Sequence, residues 1–235
     1  MVVSAVSGLV AGAPSFNSST NINTKRSSNP YIVVQNDCNY KLVVGESENG
    51  DLYGSSVDVD AGDKHTFTFE PNWAGRVWGR RSCSGKECNF AGMWAPASLA
   101  EVLFKDQAGD DYYDISLVDG YNEPMKMEPI NPDKTSSEDF RRCGEPTCTQ
   151  GPKCPTELEL KDDNGKVVGC QSACSKFRTP EHCCVGDYPE GVCEPSEYSK
   201  LFKSACPDAY SYAYDDATST YLCRADGYKV TFCPK

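Results

Sequence analysis

The chain has 235 residues with 23 basic against 34 acidic, a formal net charge of −11, which argues against nucleic acid and against an anionic membrane as the main electrostatic partner. Its length admits one large β domain or a β domain with appended lobes around a substantial core. Fourteen cysteines, an even number, indicate an oxidising compartment, a secreted protein and as many as seven disulfides.

Structural zinc is the rival use of cysteine. It is disfavoured because only His65 and His182 offer imidazole, and because spacings such as Cys143-x4-Cys148-x5-Cys154 and the vicinal Cys183-Cys184 make no repeated C-x2-C pairs. No metal and no cofactor is expected.

In chain order, residues 1–13 form a short apolar run ending in Ala11-Gly12-Ala13, which has the look of a signal-peptidase site although no basic residues precede it. Residues 14–30, rich in Ser, Asn and Thr, have little to bury and complete an expected disordered leader over 1–30. It contains the one glycosylation sequon, at Asn17, and the dibasic pair Lys25-Arg26. No later apolar run is long enough for a transmembrane helix.

From Tyr31 to Arg80 the chain consists of short alternating runs, YIVVQN, YKLVVGE, SSVDVDAG, KHTFTFEP and GRVWGRR, separated by Gly, Asp and Asn turns. Runs of this length and spacing predict a β-sandwich. In GRVWGRR, Arg76 shares strand parity with Trp78 and Arg80, so a guanidinium can lie beside an aromatic ring. Glu101 sits in the apolar setting of ASLAEVLF, among Leu99, Val102, Leu103 and Phe104.

The stretch DDYYDISLVDGYNEPM alternates from Tyr113 to Val118, with Tyr113, Ile115 and Leu117 on one face and Asp114, Ser116 and Val118 on the other. Asp119-Gly120 ends the run, and a tight turn explains Asp119 adequately. Asp114 is harder to explain, since aspartate is disfavoured in mid-strand. Either that face is simply wet, or Asp114 and Asp119 open into a cleft with other carboxylates.

Between Arg142 and Cys206 the alternation fades, prolines multiply and eight cysteines fall between Cys143 and Cys193. That segment predicts a loop-rich lobe held by disulfides. Within it Ser196 caps a helix over EYSKLFKSA, with Tyr198, Leu201 and Phe202 as a core-facing stripe and Cys206-Pro207 as its stop. Asp215 follows among the tyrosines of AYSYAYDDATS. YKVTFCP is a last strand, and Cys38 and Cys233 are placed to tie first strand to last.

Carboxylates among aromatic side chains (Tyr112, Tyr113, Tyr121, Tyr212 and Tyr214) are the equipment of a carbohydrate site: rings stack on sugar faces and acids accept hydrogen bonds from hydroxyl groups. Two such acids can hydrolyse a glycosidic bond if one is kept protonated and the other ionised. Scattered surface acids in an acidic protein are the plain alternative.

The segments ASLAEVLF, DYYDISLVDGYNEPM, SKFRTPEHCC, EYSKLFKSACPDAYSYAYDD and YKVTFC, in this order and spacing, resemble the thaumatin-like proteins, the osmotin-type group of pathogenesis-related family 5, from Tyr31 to Cys233. The resemblance implies a mainly β fold: a flattened antiparallel β-sandwich (31–80, 103–149 and 207–235), a disulfide-rich lobe with a short helix (150–206) and a small third lobe (81–102). It also implies an acidic cleft whose arginine and four acids fall on Arg76, Glu101, Asp114, Asp119 and Asp215. Glu101 and Asp114 would be the catalytic pair where members act as endo-β-1,3-glucanases; Arg76, Asp119, Asp215, Tyr112 and Tyr121 would bind substrate. The implied disulfides are Cys38–Cys233, Cys83–Cys88, Cys143–Cys223, Cys148–Cys206, Cys154–Cys170, Cys174–Cys183 and Cys184–Cys193.

One departure stands out. CSGKECNFAG keeps two cysteines where the family has four and a T-G-D-C signature, so the third lobe is expected to be truncated. Three functions follow from the resemblance: hydrolysis of β-1,3-glucan, lectin-like binding of that or another cell-wall polysaccharide, and membrane permeabilisation or protease inhibition. The negative charge weakens the membrane form and a sweet-taste role. A monomer without stable membrane insertion is expected.

Overall fold

The computed structural model describes residues 29–105, 109–133, 139 and 141–235. The expected leader therefore lies, up to residue 28, outside the described residues. Among the described residues there are fourteen strands: β1 (Tyr31–Asn36), β2 (Leu42–Glu48), β3 (Ser55–Val59), β4 (Lys64–Thr68), β5 (Ala74–Arg80), β6 (Leu99–Leu103), β7 (Asp111–Ser116), β8 (Gly120–Tyr121), β9 (Met125–Ile130), β10 (Thr147–Cys148), β11 (Glu159–Lys161), β12 (Val167–Gln171), β13 (Tyr221–Cys223) and β14 (Gly227–Phe232). The helices are α1 (Ala173–Phe177), α2 (Pro180–Cys183), α3 (Glu197–Ala205) and α4 (Asp216–Ser219).

Two sheets form the sandwich, one ordered β10-β9-β14-β1-β4 and the other β13-β7-β6-β5-β2-β3. Alternation explains how they face each other. Ile32, Val34, Met127, Tyr228 and Val230 of the first sheet share one buried cluster with Val44, Val77, Val102, Tyr113 and Ile115 of the second. Aromatic rings run through it: Phe69 stacks on Trp73 at 3.9 Å between centroids, and Tyr228 lies between Phe104 and Tyr113 at 5.9 and 4.5 Å. β1 and β14 pair in parallel, Tyr31 opposite Gly227 through Asn36 opposite Phe232, and Cys38–Cys233 clamps their ends.

The expected disulfide lobe holds more order than its sequence promises. β11, β12 and β8 make a third, small sheet, with Tyr121 of β8 opposite Cys170 of β12. β8 thus links the segment expected for the sandwich to that lobe. α1 and α2 are single turns joined by Cys174–Cys183. α3 starts where Ser196 accepts a hydrogen bond from the Ser199 amide, and it buries Phe202. All fourteen cysteines are in disulfides, the remaining pairs being Cys83–Cys88, Cys143–Cys223, Cys148–Cys206, Cys154–Cys170 and Cys184–Cys193.

Two boundaries differ from the sequence reading. β7 runs from Asp111, which pairs with Cys223, and leaves its neighbours after Ser116, because the Leu117 amide donates instead to Tyr210 O at 2.8 Å. β6 begins at Leu99, so the end of the segment assigned to the small lobe extends the six-stranded sheet. What remains of that lobe is a 3-10 turn, Gly85–Asn89, closed by Cys83–Cys88, and the loop that follows it.

Candidate functional site

Strand register assembles the site. Ser47 on β2 lies opposite Arg76 on β5, Arg76 opposite Glu101 on β6, and Glu101 opposite Asp114 on β7. Paired residues of antiparallel strands share a face, so four polar side chains form a row on the face turned away from the sandwich core. The next row, Gly45, Trp78, Leu99 and Ser116, is mostly apolar. There Trp78 packs directly over Gly45, where a Cβ would come within 2.3 Å of its ring, and joins Ala91, Ala97 and Leu99 in a second buried cluster.

The acids of the row sit in an environment that disfavours their charge. Asp114's carboxyl is held well above the usual carboxylate range, first by burial, then by the charges of Glu101 and Asp216. Its Oδ1 is buried and accepts no hydrogen bond from the described residues. Glu101 is also raised by burial, but Arg76 and a hydrogen bond from Ser116 pull it back down. Asp119 is raised to about 6 by burial and by Glu101, against Arg76. Arg76 has a buried Nε without a partner among the described residues.

Asp119 reaches the row from the turn after β7, whose geometry depends on glycine. Gly120 has φ +131, and a Cβ there would meet Cys170 O at 2.5 Å. The Gly120 amide donates to Leu117 O, and Ser175 of α1 donates to Asp119 O at 2.7 Å. On one side the row is bounded by the loop after the 3-10 turn: a Cβ at Gly92 would lie 3.8 Å from Asp119 Oδ2 and 3.9 Å from Arg76 Nη1.

On the other side stands Tyr210. It is carried beside β7 by a parallel bridge to Ser116, and its hydroxyl bonds Asp216 at 2.9 Å and Thr220. Burial and the charge of Asp114 push its phenol upward.

Three further candidates take different places. Tyr112 shares the face of Asp114 two residues earlier on β7, opposite Leu103. Asp215 is engaged locally: its carboxylate accepts from the Ser211 amide and hydroxyl and from Thr218, and pairs with Lys203 at 3.1 Å. The adjacent Asp216 is the one whose charge reaches Asp114. Tyr121 rests its ring against Gly151 and feels Glu123, Tyr40 and Arg81. In that separate cluster Glu123, 1% exposed, accepts from Tyr40 at 2.7 Å and Arg81 at 2.9 Å.

Sequence reasoning did not find Ser116, Tyr210 or Asp216 as members of the site. Ser116 was findable, because it has the parity of Asp114. The other two enter through a single bridge 94 residues apart in sequence, for which no local pattern exists. Among the described residues, one grouping is close enough to hold a metal ion, Cys38, Glu123 and Cys233, and both its sulfurs are already in a disulfide.

Comparison with known proteins gives the frame for this geometry. The family model described as the Thaumatin family matches residues 36–234. The pathogenesis-related thaumatin-like protein 3.5 of Cryptomeria japonica is 41% identical over 225 residues, covering 85% of this chain and 88% of the relative. A Prunus avium protein named glucan endo-1,3-beta-glucosidase is 42% identical over 226 residues, covering 86% and 90%. Among solved structures, a laminaripentaose-producing beta-1,3-glucanase in complex with laminaritetraose shares the fold with a TM-score of 0.59 at 9% identity, over 88% of this chain and 99% of that one. With a family match over residues 36–234 and relatives at this identity along most of their length, the chain is a member of the thaumatin family.

Proposed function

We propose that the row of Arg76, Glu101 and Asp114, with Asp119 at its edge, is the floor of a groove that binds β-1,3-glucan, and that the acid pair hydrolyses it. The observation that carries this reading is the cross-strand register that opposes Glu101 to Asp114 and Arg76 to Glu101. A surface patch of unrelated acids has no reason to line up beside one guanidinium. The name of the Prunus avium relative supports the same substrate. Seven disulfides agree with secretion to the extracellular space or cell wall.

The environments divide the roles. Asp114, half-buried with a desolvated carboxyl, flanked by two negative charges and without a hydrogen bond on Oδ1, keeps its proton and donates it to the leaving glycosidic oxygen. Glu101, facing Arg76 and bonded by Ser116, is the ionised partner that attacks or activates water. Arg76 holds that charge in place and also restrains Asp119. Tyr112 offers a ring on the same face, and Asp215 organises the wall from which Asp216 acts.

The test is incubation of the purified protein with linear β-1,3-glucan, following both sedimentation with the polymer and release of reducing ends. Hydrolysis lost in Glu101→Gln and in Asp114→Asn, with glucan still bound and folding intact, supports the assignment. Sedimentation without reducing ends leaves a glucan-binding protein and rejects the enzyme. If glucan is neither bound nor cleaved, the reading fails altogether.

A further inference from the structure

We propose that the exposed indole of Trp94, backed by the guanidinium of Arg178, is a stacking subsite for a glucosyl ring of the same β-1,3-glucan chain beyond the acid pair; this rests on the glucan reading given above. The chain has three tryptophans. Trp73 and Trp78 are core residues at 5% and 0% exposure, whereas Trp94 is 64% exposed. A large aromatic side chain left in water forgoes the burial that usually accounts for its presence.

The indole is held in place from several directions. Gly92 and Ala95 exchange backbone hydrogen bonds at 3.2 and 2.9 Å, which makes Met93 and Trp94 the tip of a two-residue hairpin. Arg80, half-buried on β5, fixes the hairpin's base by donating to the carbonyls of Phe90, Ala95 and Pro96. Met93 packs its sulfur 3.7 Å from Cys174 of the Cys174–Cys183 disulfide.

Arg178 then covers one face of the indole, its Cζ 3.7 Å from the ring centroid. That arginine caps α1 in the left-handed region, φ 57 and ψ 31, a conformation in which glycine is far more usual at a helix end. With the residue 64% exposed, the ring keeps surface open to solvent.

Position links this tip to the acid row. The hairpin's first residue, Gly92, is the one whose missing Cβ leaves Asp119 Oδ2 and Arg76 Nη1 close by. The hairpin therefore starts at the row and ends over the lobe that carries α1. A polymer lying along the row and running off past Asp119 meets a flat ring backed by a guanidinium. Rings stack on the apolar faces of sugars, and N–H groups bond their hydroxyls. Because the indole is already immobilised, little ordering is needed on binding.

The experiment titrates the full chain with a short and a long linear β-1,3-gluco-oligosaccharide, reading tryptophan fluorescence and affinity for wild type, Trp94→Ala, Trp94→Phe and Glu101→Gln. Trp94 being the solvent-facing tryptophan, the long ligand should quench wild-type emission. Trp94→Ala should weaken the long ligand about tenfold without changing the short one, and Trp94→Phe should recover most of the loss. If Trp94→Ala binds the long ligand as wild type does, while wild type and Glu101→Gln bind both ligands, the subsite is overturned and the glucan groove stands. If wild type binds neither ligand, both fall together.

Discussion

At Asp114 the proposed chemistry and stability pull in opposite directions. Its carboxyl is desolvated and flanked by Glu101 and Asp216, so ionising it at neutral pH costs free energy that a neutral isostere does not incur. Asp114→Asn is therefore expected to raise unfolding stability by roughly 1–2 kcal/mol at pH 7 while abolishing glucan hydrolysis. The gain should shrink at acidic pH, where Asp114 is protonated in the unfolded chain as well as in the folded one. Denaturant melts at the two pH values check it.

Asp119 gives a second prediction of defined sign. Its folded-state pKa of about 6 lies above the value of about 4 for an unfolded aspartate. Between those values the folded chain binds more protons than the unfolded one, so stability falls as pH rises through the window. Asp119→Asn should remove up to about 3 kcal/mol of that decline, visible as a flatter stability curve from pH 4 to pH 6.5. Glu101 and Asp114 shift in the same direction and add to the slope that remains.

Elements were legible where the pattern is local. The alternation of YIVVQN and GRVWGRR became β1 and β5, and Ser196 does cap α3. Ser196→Ala should destabilise the protein by about 1 kcal/mol, measured by thermal or chemical unfolding. The strand through Asp114 was recognised but shifted, because its ends are set by Cys223 and Tyr210, which only the folded chain brings alongside. The one-turn helices α1 and α2 and the sheet of β8, β11 and β12 carry too few residues for a periodic signal. Disulfides such as Cys154–Cys170 and Cys174–Cys183 hold these pieces together.

At the scale of the whole molecule, a fold of this kind is closed by its covalent links as much as by its core. Cys38 and Cys233 lie 195 residues apart in sequence and join adjacent parallel strands. Replacing both by alanine should lower stability by up to about 5 kcal/mol, with β1 and β14 the first to lose amide exchange protection. The candidate site depends on the same long-range assembly. Its register across β5, β6 and β7 was anticipated only as a set of unusual acids, and the convergence came from resemblance to a family. The engagement of Asp215 by Lys203 and the separation of Tyr121 into the Glu123 cluster had no sequence signal, since Lys203, Tyr40 and Arg81 come alongside only in the folded chain.

The most direct test of the account is a carbon NMR titration of the side-chain carboxyls of Glu101 and Asp114, with and without a linear β-1,3-gluco-oligosaccharide. Asp114 is predicted to titrate above the ordinary carboxylate range and after Glu101, and the sugar is predicted to perturb both resonances. Two independent acids titrating near 4, unmoved by the sugar, would contradict it.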